Sequence, residues 1–103
     1  MMHVIVTTCS PQDAKKLLKQ LLTERVVACG NITPSVASMY WWQGEIQDDQ
    51  ESFIFMETTA AKINEALNRI EELHPYEVPK ILSWKPQSVN GPYLNWLKTE
   101  TNS

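Results

Sequence analysis

Tyr40-Trp41-Trp42-Gln43-Gly44-Glu45 sets three bulky aromatics side by side just ahead of a glycine. Successive side chains of a strand point to opposite faces, so three consecutive aromatics cannot share one side. Both faces of this segment therefore need apolar cover. Gly44 to Glu51 is polar and flexible enough to turn, and Phe53-Ile54-Phe55-Met56 is again apolar without alternation. The pair reads as a long hairpin buried on both sides. A chain of 103 residues with room for two or three helices struggles to cover so much aromatic surface alone, and the pattern predicts a partner, in first place copies of the same chain.

On either side of the hairpin the signals alternate between strand and helix. His3 to Thr8 is a β-branched run suited to a central strand. Ser10 offers an N-cap hydroxyl, Pro11 fits the first helical position, and Asp13 puts negative charge in the first turn. Ala14, Leu17, Leu18, Leu21 and Leu22 then recur at helical spacing, with Lys15, Lys16 and Lys19 on the opposite, solvated face. Val26 to Cys29 starts a second strand, which Pro34 bends or bulges before Val36 to Trp42, because proline removes a ladder donor. The hairpin returns through Ser52 to Thr58, and Thr58 or Thr59 can cap a second helix carrying Ile63, Ala66, Leu67, Ile70 and Leu73. Pro75 ends that helix at about His74. Ile81 to Trp84 is a fourth strand, Asn90-Gly91-Pro92 starts a final short helix, and Thr101-Asn102-Ser103 reads as a loose tail.

Strand, helix, strand, strand, helix, strand and a helical tail make the α+β ferredoxin-like βαββαβ antiparallel sandwich, as a single domain over 1–103, with a long hairpin between its second and third strands and a C-terminal helix. Its two crossover helices cover one face of the sheet, yet Val4 to Val6 and Phe53 to Met56 are apolar on both. The other face needs the last helix, another subunit, or both.

Composition narrows the partners. The net charge of -3 gives no general attraction to phosphate backbones or anionic lipid. Phe53 and Phe55 sit where RNA-recognition domains carry stacking aromatics, but the Lys/Arg-Gly lead-in and the first-strand aromatic are missing, so no nucleic acid is expected. No segment has the length of a membrane span or the apolar region of a signal peptide, and two cysteines without CxxC spacing, Cys9 and Cys29, suit a reducing compartment; the expectation is cytoplasmic, with no membrane partner. Cys9 reads as a tolerated surface residue at a strand end.

The chain also resembles the CutA family, the proteins associated with divalent-cation tolerance. The resemblance spans nearly the whole chain. It is carried by Val4 to Thr8 before a capped helix, Glu24-Arg25 leading to Ala28-Cys29-Gly30-Asn31-Ile32, Tyr40-Trp41-Trp42-Gln43-Gly44-Glu45-Ile46, His74-Pro75-Tyr76-Glu77-Val78-Pro79, and Tyr93-Leu94-Asn95-Trp96-Leu97. It implies a ferredoxin-like subunit in a compact homotrimer with hairpins pairing across subunit edges, an assembly like that of the nitrogen-regulatory PII proteins, and a role in tolerance to copper and other divalent ions. Three charged positions depart from the family's usual pattern: Glu45 and Glu57 stand where lysine is common, and Lys80 where glutamate is common. A swap between Glu57 and Lys80 preserves local charge only if both face one cavity.

Candidate chemistry centres on the loop between Pro75 and Pro79. His74 and Glu77, joined by Cys29 if the fold brings it near, form a candidate site for a borderline divalent ion, copper or zinc. The competing reading has His74 closing the helix, Tyr76 packing, Glu77 pairing with a base and Cys29 as a small buried apolar residue. Trp42, Tyr76, Glu57 and Lys80 form the candidate ligand cleft, and Tyr40, Trp41 and Trp42 the candidate interface. No phosphate-cradling glycine loop, Gly-x-Ser-x-Gly or HExxH is present. The expected function is that of a trimeric binding or regulatory protein in divalent-metal homeostasis rather than an enzyme, the runner-up being a PII-like trimer that binds a small metabolite between subunits.

Overall fold

In the computed structural model, which describes residues 1 to 103, the elements follow the predicted order. They are β1 (Met2–Cys9), α1 (Pro11–Thr23), β2 (Cys29–Ile32), β3 (Val36–Trp42), β4 (Glu45–Thr59), α2 (Ile63–Leu73), β5 (Ile81–Trp84) and α3 (Gly91–Glu100). All strand pairs are antiparallel in the order β2-β4-β1-β5, and β3 pairs with the first half of β4. This is the ferredoxin-like sandwich, with its second strand split in two at Pro34 and α3 appended.

Local chemistry explains α1. The Ser10 hydroxyl accepts the Asp13 amide at 3.2 Å and donates to the Asp13 carboxylate at 3.0 Å, a cap worth about 1 kcal/mol. Ala14, Leu17, Leu18 and Leu21 are buried against β1 and β4, while Leu22 lies at the exposed margin of the stripe. The helix ends where Arg25 takes φ 58, and the Arg25 and Val26 amides return to the carbonyls of Leu22 and Leu21 at 3.0 and 3.3 Å. That is a Schellman closure made without glycine. Arg25 also donates to the Glu100 carbonyl at 2.8 Å, so it fastens α3 to α1 and does not extend the basic face of Lys15, Lys16 and Lys19.

Several boundaries differ from the sequence reading. The broad polar turn over 44–51 is instead the two residues Gln43 and Gly44, at φ 51 and φ 80, the type I′ geometry that matches strand twist. Residues 45–51 are therefore strand. Val26 and Val27 are core but precede β2, because the left-handed residue at Arg25 turns the chain under the sheet; the Val26 carbonyl there accepts the Thr58 hydroxyl at 2.6 Å. Neither Thr58 nor Thr59 caps α2, whose N-cap is Lys62 with no side-chain capping hydrogen bond. The C-terminal tail is fixed, with Thr101 buried and the Ser103 hydroxyl 2.8 Å from that of Thr59. Cys9 is fully buried in the core, not at the surface.

Strand register divides the sheet. Ile5, Cys9, Ile54 and Met56 face α1 and α2, whereas Val4, Val6, Phe53, Phe55, Glu57, Leu82 and Trp84 point away from them. On that far face the α3 residue Tyr93 reaches Glu57 and Cys29, but Phe55, Leu82 and Trp84 stay exposed. The hairpin overhangs the body and stretches the molecule to 45 × 26 × 22 Å. At its end Met39, Trp41 and Ile46 are 69, 72 and 59% exposed, so the burial predicted for the hairpin on both sides does not occur within one subunit.

Candidate functional site

The hairpin and the loop after α2 enclose a cleft of about 540 Å³ on the far face. Register puts Tyr40 and Trp42 of β3 on the same side as Asp49 and Glu51 of β4, since Tyr40 lies opposite Gln47, Ser38 opposite Asp49 and Val36 opposite Glu51. The facing wall is Tyr76, Glu77, Val78 and Lys80, between and just beyond two prolines that limit the loop's freedom.

His74 anchors that wall. Its amide bonds the Ile70 carbonyl at 2.9 Å as the C-cap of α2, its Nδ1 lies 3.1 Å from the Tyr76 amide, and its Nε2 lies 3.0 Å from the Thr8 carbonyl. An amide only donates, so Nδ1 accepts; Nε2 then carries the proton and donates to Thr8. The ring is neutral with both nitrogens engaged, and burial holds its pKa below the usual histidine value. Tyr76, edge-on to this ring, donates its hydroxyl to Glu51 Oε2 at 2.6 Å. Burial first, and that carboxylate second, push the Tyr76 pKa up. A continuous series of bonds thus runs from β1 through His74 and Tyr76 to β4, and it sets the width of the cleft. Across from it the Tyr40 hydroxyl donates to Asp49, which raises the Tyr40 pKa. The Lys80 ammonium sits 5.4 Å above the Phe53 ring.

A second polar cluster lies farther along the far face. Cys29 donates to Glu57 Oε1 at 2.9 Å, Tyr93 donates to the same oxygen at 3.0 Å, and the thiol and phenol are 2.9 Å apart. Burial and the Glu57 carboxylate push the Cys29 thiol up to about 11, so it is protonated at neutral pH. Cys9 is likewise pushed up to about 11 by burial, helped by Asp13 and Glu51, which outweighs any lowering by the start of α1.

Placed on this geometry, the candidates separate. Trp42, Tyr76, Lys80 and Glu77 line the cleft. Glu57 does not: it belongs with Cys29 and Tyr93, so Glu57 and Lys80 share no cavity within the subunit. The trio His74, Glu77 and Cys29 is not assembled either. Nowhere do three His, Cys, Asp or Glu side chains gather as a metal group, and both His74 nitrogens are taken. Tyr40, Trp41 and Trp42 are solvent-exposed on the hairpin and also border the cleft. Asp49 and Glu51 escaped the sequence reading because residues 44–51 read as a turn. Their two-residue spacing, in phase with Phe53 and Phe55, was the available signal.

Fold and site together define a ferredoxin-like protein with an overhanging hairpin and an acidic, aromatic side cleft. The family model of the CutA1 divalent ion tolerance protein matches residues 2–100, and the chain belongs to that family. The divalent-cation tolerance protein CutA of Pyrococcus horikoshii is 42% identical over 100 residues, covering 95% of this chain and 97% of that one. The crystal structure of divalent ion tolerance protein CutA1 from Ehrlichia chaffeensis superposes with TM-score 0.93 at 31% identity, covering 97% and 94% of the two chains. The periplasmic divalent cation tolerance protein CutA from Archaeoglobus fulgidus gives TM-score 0.91 at 26% identity over 98% and 99%. The cytoplasmic expectation is therefore not a property of the fold. No helix of this chain is long and apolar enough to cross a membrane.

Proposed function

We propose that the chain forms a homotrimer that acts as a binding protein in divalent-cation tolerance, with copper or zinc taken up at the acidic cleft and a neighbouring subunit completing the ligand set. The observation that carries this reading is the charge of the cleft. Asp49, Glu51 and Glu77 face it with Lys80 as its one cation, and none of the three carboxylates is ion-paired within the chain. Completion by a neighbour is required because one subunit gathers too few ligands, and the exposed Met39, Trp41 and Ile46 supply a surface for that neighbour.

Calorimetric titration of chelator-stripped protein with Cu²⁺ and Zn²⁺ tests it. A stoichiometric site weakened at least about tenfold by Glu77→Gln is expected; absence of heat with both ions would remove the metal reading. A small-molecule ligand is the second reading. The cleft's volume falls within the roughly 300–1,000 Å³ of ligand pockets and far exceeds what a bare ion fills, and Tyr40, Trp41, Trp42 and Tyr76 give it aromatic walls beside its carboxylates.

A further inference from the structure

We infer that the cleft selects a planar organic cation, of the guanidinium or amidinium type, seated between the hairpin aromatics and held by Glu51. This rests on the small-molecule reading of the cleft and names its ligand class. Glu51 is only 5% exposed, yet it lines an open cavity. Its Oε2 is occupied by the Tyr76 hydroxyl, while Oε1 receives no donor from the chain and is not sealed from solvent. A carboxylate oxygen that no donor of the chain occupies, on a side chain lining the cavity, is open to a charged donor from a ligand. Asp49 and Glu77 add the same sign of charge at the rim, and the one cation of the cleft, Lys80, is held over Phe53.

The walls specify the shape. Tyr40, Trp42 and Tyr76 offer π-faces, 40, 38 and 40% exposed, and the negative face of an aromatic ring attracts a cation. A flat, weakly hydrated cation can stack on such rings and donate a forked pair of hydrogen bonds to one carboxylate, which a spherical ammonium does less well. Trp41 and Ile46 alternate to the opposite face of the hairpin from Tyr40 and Trp42, and Met39 and Trp41 also border the cleft, so a trimer contact through Met39, Trp41 and Ile46 adds a neighbouring subunit at its edge.

Benzamidine, benzamide and benzoate form a near-isosteric series of charge +1, 0 and -1. They are titrated into chelator-stripped protein while tryptophan fluorescence is followed. Saturable benzamidine binding is expected, with benzamide weaker by about tenfold or more and no response to benzoate. Glu51→Gln should weaken benzamidine about tenfold, and Glu77→Gln, at an exposed site that leaves the fold intact, by a smaller factor; Glu45→Gln at the hairpin tip, outside the cleft, should change nothing. Equal affinity for benzamidine and benzamide overturns the inference and leaves the small-molecule reading standing. No binding of any of the three overturns both. Benzamidine binding that neither Glu51→Gln nor Glu77→Gln alters places the ligand elsewhere and overturns the inference as well.

Discussion

Gly30 sits close under α1. A Cβ built there would lie 2.5 Å from Leu18 Cδ1 and 3.2 Å from the Phe55 carbonyl oxygen, so a side chain at this position must displace the Leu18 methyls and press on the β4 backbone. Gly30→Ala should cost roughly 1 to 3 kcal/mol by overpacking, measured by urea unfolding, and the cost should shrink in a Leu18→Ala background, since the two changes share one contact. His74 sets the behaviour of the cleft wall in mild acid. Its folded pKa is lowered, mainly by burial, so the unfolded chain binds the proton more readily. The stabilising contribution is fully present above the unfolded value of about 6.5 and is lost as pH falls through the lowered folded value. Melting temperature should therefore drop between about pH 7.5 and 5.5, and His74→Gln should flatten that slope. At this scale the sequence disclosed the Ser10 cap and the chain end of α2, because both depend on near neighbours. It could not disclose the burial of Cys9 or the aim of Glu51, which depend on elements distant in the chain.

The hairpin's direction is set by its two-residue turn. Both Gln43 and Gly44 occupy the left-handed region, where glycine is free and a longer L side chain is strained. Gly44→Ala should cost about 1 kcal/mol, and Gln43→Asn should stabilise by a few tenths, because asparagine tolerates this conformation better; chemical denaturation of both variants checks the opposite signs. Ile81 to Trp84 was legible as a strand since prolines bound it on both sides. The early half of β4 was not, because Glu45 to Glu51 carries the polarity of a loop: a two-stranded ribbon beyond the sheet has no core to face, so its composition loses the strand signature.

Across the molecule, the apolar surface left bare predicts assembly. Trp41→Glu, a charge set among Met39 and Ile46 on the hairpin's outer face, should convert a trimer of the parent into lone subunits in sedimentation, with Glu45→Gln as the unchanged control. A parent chain that sediments as a stable, folded single subunit would remove the trimer. Trp42 belongs to a different balance. In the subunit it is 38% exposed, so Trp42→Ala in a dissociated chain should cost less than the roughly 3 to 5 kcal/mol of a fully buried tryptophan.

From the residues in order came the βαββαβ plan, the capped first helix, the surplus of apolar sheet and the family likeness, all of which follow from periodicity, turn chemistry and local motifs. Tertiary structure alone decided that Glu51 meets Tyr76, that His74 spends both nitrogens on Thr8 and Tyr76, and that Glu57 joins Cys29 instead of Lys80. The reason is that the meetings of His74 with Thr8, Glu57 with Cys29 and Glu51 with Tyr76 span 66, 28 and 25 positions and are fixed by strand register and loop path, and a one-residue slip of β4 would send Glu51 and Glu57 to the other face.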